Sequence, residues 1–139
     1  MRRLWTRIVC GVLLSCGAGA LFAAPPSVVT KPLGCVAPDR NARVTAKIQG
    51  KVKTARVYFR AHAAADKPKC EESFVEMRQS PADPTVYWAL LPIAAPETRV
   101  ISYQVRVDPG NGEKVVLSPS EPLTVAVRAG CIADPLSEA

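Results

Sequence analysis

Ile101-Ser102-Tyr103-Gln104-Val105-Arg106-Val107 alternates apolar and polar residues at every step, the period of a strand with one face in a core and the other in water. Ile101, Tyr103, Val105 and Val107 are expected inward, and Ser102, Gln104 and Arg106 outward. Asp108-Pro109-Gly110-Asn111-Gly112 follows, and its glycines supply the positive φ that a hairpin turn requires. Beyond the turn an interrupted strand runs from Lys114 to Leu117, breaks at Ser118-Pro119, and resumes with Leu123, Val125 and Val127 alternating with Thr124, Ala126 and Arg128. Upstream, Val44, Ala46 and Ile48 alternate with Arg43, Thr45 and Lys47, and Thr54 to His62 sets Ala55, Val57 and Phe59 against Arg56, Tyr58 and Arg60. Ser73 to Arg78 reads as a third strand with Val75 and Met77 on one face. Val86 to Leu91 is apolar on both faces, as in a strand covered on each side, and Pro92 ends it. No stretch after residue 24 has helical periodicity, so the expected class is all-β, an antiparallel sandwich of about seven strands. The expected core is Val57, Phe59, Met77, Ile101, Tyr103, Val105 and Val125.

The whole chain has 139 residues, 48% apolar and 22% charged, with 13 Pro and 8 Gly, a composition for one ordinary domain that excludes coiled-coil, collagen-like and strongly disordered classes. Arg2, Arg3 and Arg7 precede an uncharged run from Ile8 to Ala24 that ends in small residues, the pattern of a signal peptide. Cleavage is expected after Ala23, with Ala20 the second site. The resulting division is a signal peptide over 1–23, an extended Pro-rich lead-in over 24–34, the sandwich over 35–131 and a tail over 132–139. Leu13-Leu14-Ser15-Cys16 offers an alternative, the lipobox of an outer-membrane lipoprotein acylated at Cys16. Retention of the uncut segment as an anchor is the remaining membrane route, although the run is short for a span.

Arg56-Val57-Tyr58-Phe59-Arg60, Phe74-Val75-Glu76-Met77, Tyr87-Trp88-Ala89-Leu90-Leu91-Pro92, Ile101-Ser102-Tyr103-Gln104-Val105 and Asp108 with Gly110 resemble the strand series of immunoglobulin-like and fibronectin type III-like modules in bacterial envelope proteins. The resemblance covers roughly Cys35 to Arg128. It implies an immunoglobulin-like sandwich and an exported, periplasmic or extracellular location, and it implies no chemistry. Val44 to Gln49 lacks the Trp usual in the second strand of a fibronectin type III domain, so the broader immunoglobulin-like description fits better.

Setting aside the three arginines of the export segment leaves 15 basic against 12 acidic residues, too small an excess to point to nucleic acid. Cys35, Cys70 and Cys131 remain after cleavage, and an exported chain of this size uses Cys for disulfides. Cys35 lies just before the first strong strand and Cys131 just after the last, so these two are expected to pair, leaving Cys70 free; pairs through Cys70 are the alternatives. A zinc site of Cys35, His62, Cys70 and Cys131 is a further option, opposed by oxidation and by the absence of short paired spacings. Asp108 to Glu113 fails the calcium-loop pattern, because Gly110 and Gly112 occupy two ligand positions. His62 is the sole His and no Gly-x-Ser-x-Gly is present, so no cofactor and no catalysis are expected.

Arg56, Tyr58, Arg60, Arg106 and Arg128 are expected to share one outward sheet face that could recognise an anionic partner through paired guanidinium contacts. The plainer reading is a solvated face with cross-strand ion pairs to Glu76 and its neighbours. The expected function is a non-catalytic binding or structural module of the bacterial envelope, with a protein or anionic envelope component as partner. The other readings are the lipoprotein acylated at Cys16, and an enzyme or enzyme inhibitor using the loop Ala63 to Lys69.

Overall fold

The computed structural model describes residues 24–63 and 71–132. The expected signal peptide, Cys16, Cys70, most of the loop Ala63 to Lys69 and all of the expected tail beyond Ile132 lie outside the described residues. Eight strands follow in order: β1 (Ser27–Thr30), β2 (Arg43–Gln49), β3 (Thr54–His62), β4 (Ser73–Glu76), β5 (Arg78–Gln79), β6 (Val86–Leu90), β7 (Val100–Asp108) and β8 (Val116–Ala126). They form two four-stranded antiparallel sheets, ordered β1-β2-β6-β5 and β4-β3-β7-β8. The inner faces enclose one core, to which β2 contributes Val44, Ala46 and Ile48, β3 Ala55 and Val57, and β7 Ile101, Tyr103, Val105 and Val107. Period-two alternation thus does what it predicts in β2, β7 and the first half of β3, where every second residue is buried against the facing sheet.

Three expectations need correction. The stretch Ser73 to Arg78 is not one strand: β4 pairs with β3 in one sheet and β5 with β6 in the other. The switch occurs at Met77, which is buried and whose N–H donates to Ala55 O at 2.8 Å. Second, β6 is covered on one side only. Its register sets Ala89 and Tyr87 opposite Val44 and Ala46 on the inner face, while Val86, Trp88 and Leu90 fall opposite Lys47, Thr45 and Arg43 on the outer face. Third, Phe59 packs against the core but is only partly buried, because it also lines an outer hollow with Tyr58 and Arg60.

The interruption at Ser118-Pro119 is a local disturbance inside one strand. Tyr103 pairs with Leu123 and Val105 with Ser118, so two steps on β7 face five on β8 and the extra residues bulge outward. Proline has no N–H to offer a ladder, and Pro119 and Pro122 fall in that bulge. The β7–β8 turn forms as expected, with φ of 87° at Gly110; Asp108 Oδ1 accepts the Gly110 N–H at 2.8 Å. A side chain at Gly110 would meet Lys53 at 3.2 Å as well as the strained φ.

The two edge strands on one side of the molecule are stitched together. Thr30 Oγ1 lies 3.0 Å from both Ser118 O and Ser118 Oγ, and Ser118 Oγ donates to Val28 O at 3.1 Å. The chain then crosses from β1 toward β8. The Leu33 N–H donates to Tyr103 Oη at 2.8 Å, and Val36 forms a parallel bridge with Val127. Beside that bridge Cys35 and Cys131 form the expected disulfide, with Cα atoms 5.8 Å apart. Its sequence separation of 96 gives a chain-entropy stabilisation of about 4–5 kcal/mol. A metal site needing Cys35 and Cys131 as thiolates thereby loses both. Among the described residues no helix is long and apolar enough to cross a membrane.

Two stability predictions arise from this crossing. Tyr103→Ala removes a ring that is 1% exposed and should cost about 3–5 kcal/mol in denaturant unfolding. Tyr103→Phe keeps the packing but orphans the Leu33 N–H, and should cost about 1–2 kcal/mol. Burial raises the Tyr103 pKa above the ordinary 10.0, opposed by the hydrogen bond to the Leu33 backbone. The neutral phenol therefore favours the fold, its contribution being complete below the unfolded-state value and lost as pH rises through the folded one. The stability difference between wild type and Tyr103→Phe should shrink above about pH 10, where the unfolded phenol ionises; a difference that grows there would contradict the assignment. Separately, Cys35→Ser/Cys131→Ser should lower the unfolding free energy by about 4 kcal/mol, and a loss below ~1 kcal/mol would remove the disulfide from the stability account.

Candidate functional site

The outer face of β4-β3-β7-β8 is where the sequence places its candidate arginines. Register sets Arg56 directly beside Arg106 on one side and Glu76 on the other. Two guanidinium groups on neighbouring strands repel unless carboxylates lie between them. Arg56 Nε donates to Glu76 Oε1 at 2.7 Å, and Arg106 reaches Glu72 with both terminal nitrogens, at 2.9 and 3.0 Å. Arg60 Nε stands 3.7 Å from the same Glu72. Aromatic rings supply the second half of the packing: Arg106 lies 4.0 Å from the Tyr58 ring centre, Arg56 lies 4.5 Å from that of Phe74, and the two rings are 5.5 Å apart. Tyr58 and then Glu76 raise the Arg56 pKa further by hydrogen bonding, so its charge is permanent.

Arg128 departs from this group. It lies past the end of β8, two residues beyond Ala126, which pairs with Val100, and its N–H donates to Val36 O. Thus Arg56, Tyr58, Arg60 and Arg106 come together, while Arg128 sits at the far end of the sheet.

Gln104 was expected to face solvent, and it does point outward, yet it is only 4% exposed. The β8 bulge and Arg106 cover it. Its Nε2 donates to Pro119 O at 2.8 Å and Ser120 O at 3.1 Å, and its Oε1 accepts from Arg106 Nε at 3.1 Å. Every polar atom of the amide is therefore satisfied, which is what allows it to be buried. Next to it, His62 Nε2 lies 3.0 Å from Ser102 Oγ in a hollow of about 460 Å³. A Ser–His pair suggests nucleophilic chemistry only with an oxyanion hole nearby. Ser102 sits in β7, paired with Arg60 of β3 and Thr124 of β8, so the sheet ladders occupy the surrounding backbone.

The opposite sheet carries a site that the sequence reading missed. Val86 and Trp88 of β6 and Arg43 and Thr45 of β2 line a groove of about 840 Å³. The β1–β2 connection supplies further lining through Lys31, Leu33 and Arg40, the β5–β6 turn adds Pro81, and Ile132 completes it. The Arg43 guanidinium lies 4.5 Å from the Trp88 ring centre. Asp83 shapes the turn by accepting from the Thr85 hydroxyl at 2.7 Å and the Thr85 N–H at 2.9 Å, bonds that hold its carboxyl below the ordinary carboxylate range. The signal available in the sequence was the doubly apolar Val86 to Leu91. That run predicts burial on both faces, whereas its outer residues Val86 and Trp88 form a half-open apolar floor.

Charge is divided unequally between the sheets. The strands of β4-β3-β7-β8 hold Arg56, Arg60 and Arg106 against Glu76, Asp108 and Glu121. Those of β1-β2-β6-β5 hold Arg43, Lys47 and Arg78 and no carboxylate. Among the described residues no group of three His, Cys, Asp or Glu side chains could hold a metal. Comparison with known protein families and with curated proteins finds no match.

Two kinds of contact on the outer face of β4-β3-β7-β8 predict different mutational behaviour. Gln104→Ala removes the buried amide that bonds the Pro119 and Ser120 carbonyls and Arg106, three hydrogen bonds in all, and should cost about 1–3 kcal/mol in denaturant unfolding. Glu72→Gln breaks a partly exposed ion pair and should cost under about 1 kcal/mol. A larger loss for Glu72→Gln would make the ion pairs, and not the amide, the anchor of this face.

Proposed function

We propose that the chain is an exported, non-catalytic immunoglobulin-like module of the bacterial envelope that binds an anionic partner on the outer face of β1-β2-β6-β5. The strand order supports the immunoglobulin-like reading: β1, β2, β6 and β5 correspond to strands A, B, E and D of that architecture, and β3, β7 and β8 to C, F and G, with β4 as an added C′. The disulfide fits an oxidising compartment, as export would provide. The observation that carries the binding reading is the charge division. The strands of this sheet hold basic residues and no carboxylate, and Lys47 and Arg78 lie in register with Val86 and Trp88, which line a groove with an indole in its floor, a combination suited to a partly apolar anion; a nearby carboxylate, Asp83 of the β5–β6 turn, acts on Lys47. On the other face Glu72 and Glu76 already occupy the arginines, so an incoming anion must displace them.

The test is capture from envelope extract by immobilised wild type, Lys47→Glu/Arg78→Glu and Arg56→Glu/Arg60→Glu proteins at low and high salt. Lys47→Glu/Arg78→Glu should weaken capture about tenfold, at under ~1 kcal/mol for each exposed charge, with wild-type capture falling as salt rises. Arg56→Glu/Arg60→Glu should retain it. Loss confined to the latter variant would move the site to the face of β3 and β7, and equal capture by all three would leave no electrostatic partner site.

A further inference from the structure

We infer that the hollow on the outer face of β4-β3-β7-β8 binds a neutral, hydroxyl-rich ring: a monosaccharide, free or at the end of a glycan. The inference goes beyond the groove over Trp88 and does not rest on it, because the two sites lie on different sheets. Arg60, Ser102 and Thr124 stand in one row across β3, β7 and β8, and all three line the hollow. Two strand spacings separate the ends of that row, about 9–10 Å, a span suited to one six-membered ring held between two side chains. His62 Nε2, 3.0 Å from Ser102 Oγ, fixes the imidazole in the same lining. Gln104 has its amide engaged by the protein and contributes a rigid part of the lining, not a ligand group.

Charge and hydrogen bonding select the chemistry of the occupant. Glu72 also lines the hollow; it accepts from both terminal nitrogens of Arg106 and pairs with Arg60 at 3.7 Å. An anion would have to take these arginines from Glu72, and a cation would meet both of them. A neutral ligand leaves the ion pairs in place. A carboxylate has about four lone-pair sites, so Glu72 can still accept from a ligand hydroxyl while it holds Arg106. The Arg60 guanidinium has N–H donors enough to serve a hydroxyl without leaving its ion pair, and the Thr124 hydroxyl can donate or accept. Donors and acceptors side by side match a group that does both. Pro122 and Tyr58 supply apolar lining for the C–H face of such a ring. Arg106 and Phe74 already pack on the Tyr58 ring, which disfavours a planar aromatic ligand that needs that ring as a platform. The volume, about 460 Å³, lies toward the lower end of small-molecule sites and suits a single sugar ring.

His62 is the sole His, so its imidazole signals in an NMR spectrum of the untagged chain report on this hollow alone. Glucose, N-acetylglucosamine and the β-linked N-acetylglucosamine trimer are titrated at constant pH, with sodium acetate and sodium phosphate as anionic probes. At least one sugar should shift the His62 signals saturably, with a Kd of the order of millimolar, the value for about twelve non-hydrogen atoms at ordinary ligand efficiency. A trimer that binds more tightly than its monomer identifies the end of a glycan, and equal affinity a free sugar. Arg60→Met/Thr124→Val removes a guanidinium and a hydroxyl but leaves the His62–Ser102 contact, and should weaken binding about tenfold. Thermal unfolding of the same variant confirms an intact fold. Absence of a saturable shift with all three sugars would overturn the inference, as would unchanged affinity in Arg60→Met/Thr124→Val. Acetate or phosphate acting at lower concentration than any sugar would overturn it too, by assigning the hollow to an anion. Lys47→Glu/Arg78→Glu should bind sugar as wild type does, and its failure to do so would move the sugar to the groove over Trp88.

Discussion

Between Lys31 and Val36 the chain passes from one sheet to the other, and much of the architecture depends on that passage. At Lys31 the backbone is still bonded to Thr45 of β2; by Val36 it is bonded to Ala126, with Arg128 returning a bond to Val36. The residues between belong to neither ladder. A buried N–H there would be costly without a partner, and Tyr103 supplies one to Leu33 from within the core. Pro32 has no N–H to satisfy. The disulfide then ties this passage to the chain leaving β8. Edge strands are open templates for unwanted pairing, and here β1 and β8 protect one another.

The same passage forms a wall of the Trp88 groove, so the stability of the fold and the shape of the candidate site are coupled through one segment. A loop held only at its ends would give an adaptable wall; this one is bonded to the core, to β8 and across a disulfide. The wall of the groove is therefore fixed by the fold itself, which would reduce the ordering cost of the binding proposed for it. On the other face Arg56, Arg60 and Arg106 pair with Glu76 and Glu72 of the same sheet region. Arg106 shields Gln104, stacks on Tyr58 and pairs with Glu72, a set of contacts that closes the surface over the β8 bulge.

The repeating pattern of single strands was legible in the chain. Val44, Ala46 and Ile48, then Ala55 and Val57, then Ile101, Tyr103, Val105 and Val107 declare their burial by alternation, because a strand in a sheet with one wet face has no other way to arrange its side chains. The Cys35–Cys131 pair was also legible, since Cys35 precedes the first strongly alternating strand, β2, and Cys131 follows the last, β8. The arginine face was legible as a set of residues on one side of a sheet, but not as a set of ion pairs: Glu72 lies outside any strand and comes to Arg106 only through the path of the chain before β4.

What the sequence by itself determined is the alternation, and with it the all-β class and most of the core. Tertiary structure decided which sheet each strand joins. Met77 is buried whether Ser73 to Gln79 is one strand or two, so periodicity is blind to a switch made there, and only the competition of β3 and β6 for backbone partners divides the segment. For β6 the ambiguity is of the same kind. An apolar residue looks alike in sequence whether it is buried by another sheet or left on a groove floor, and Trp88 acquired its exposure from the placement of the β1–β2 connection, the β5–β6 turn and Ile132 around it. Burial is a property of pairs of surfaces, and a single strand specifies only one of the two.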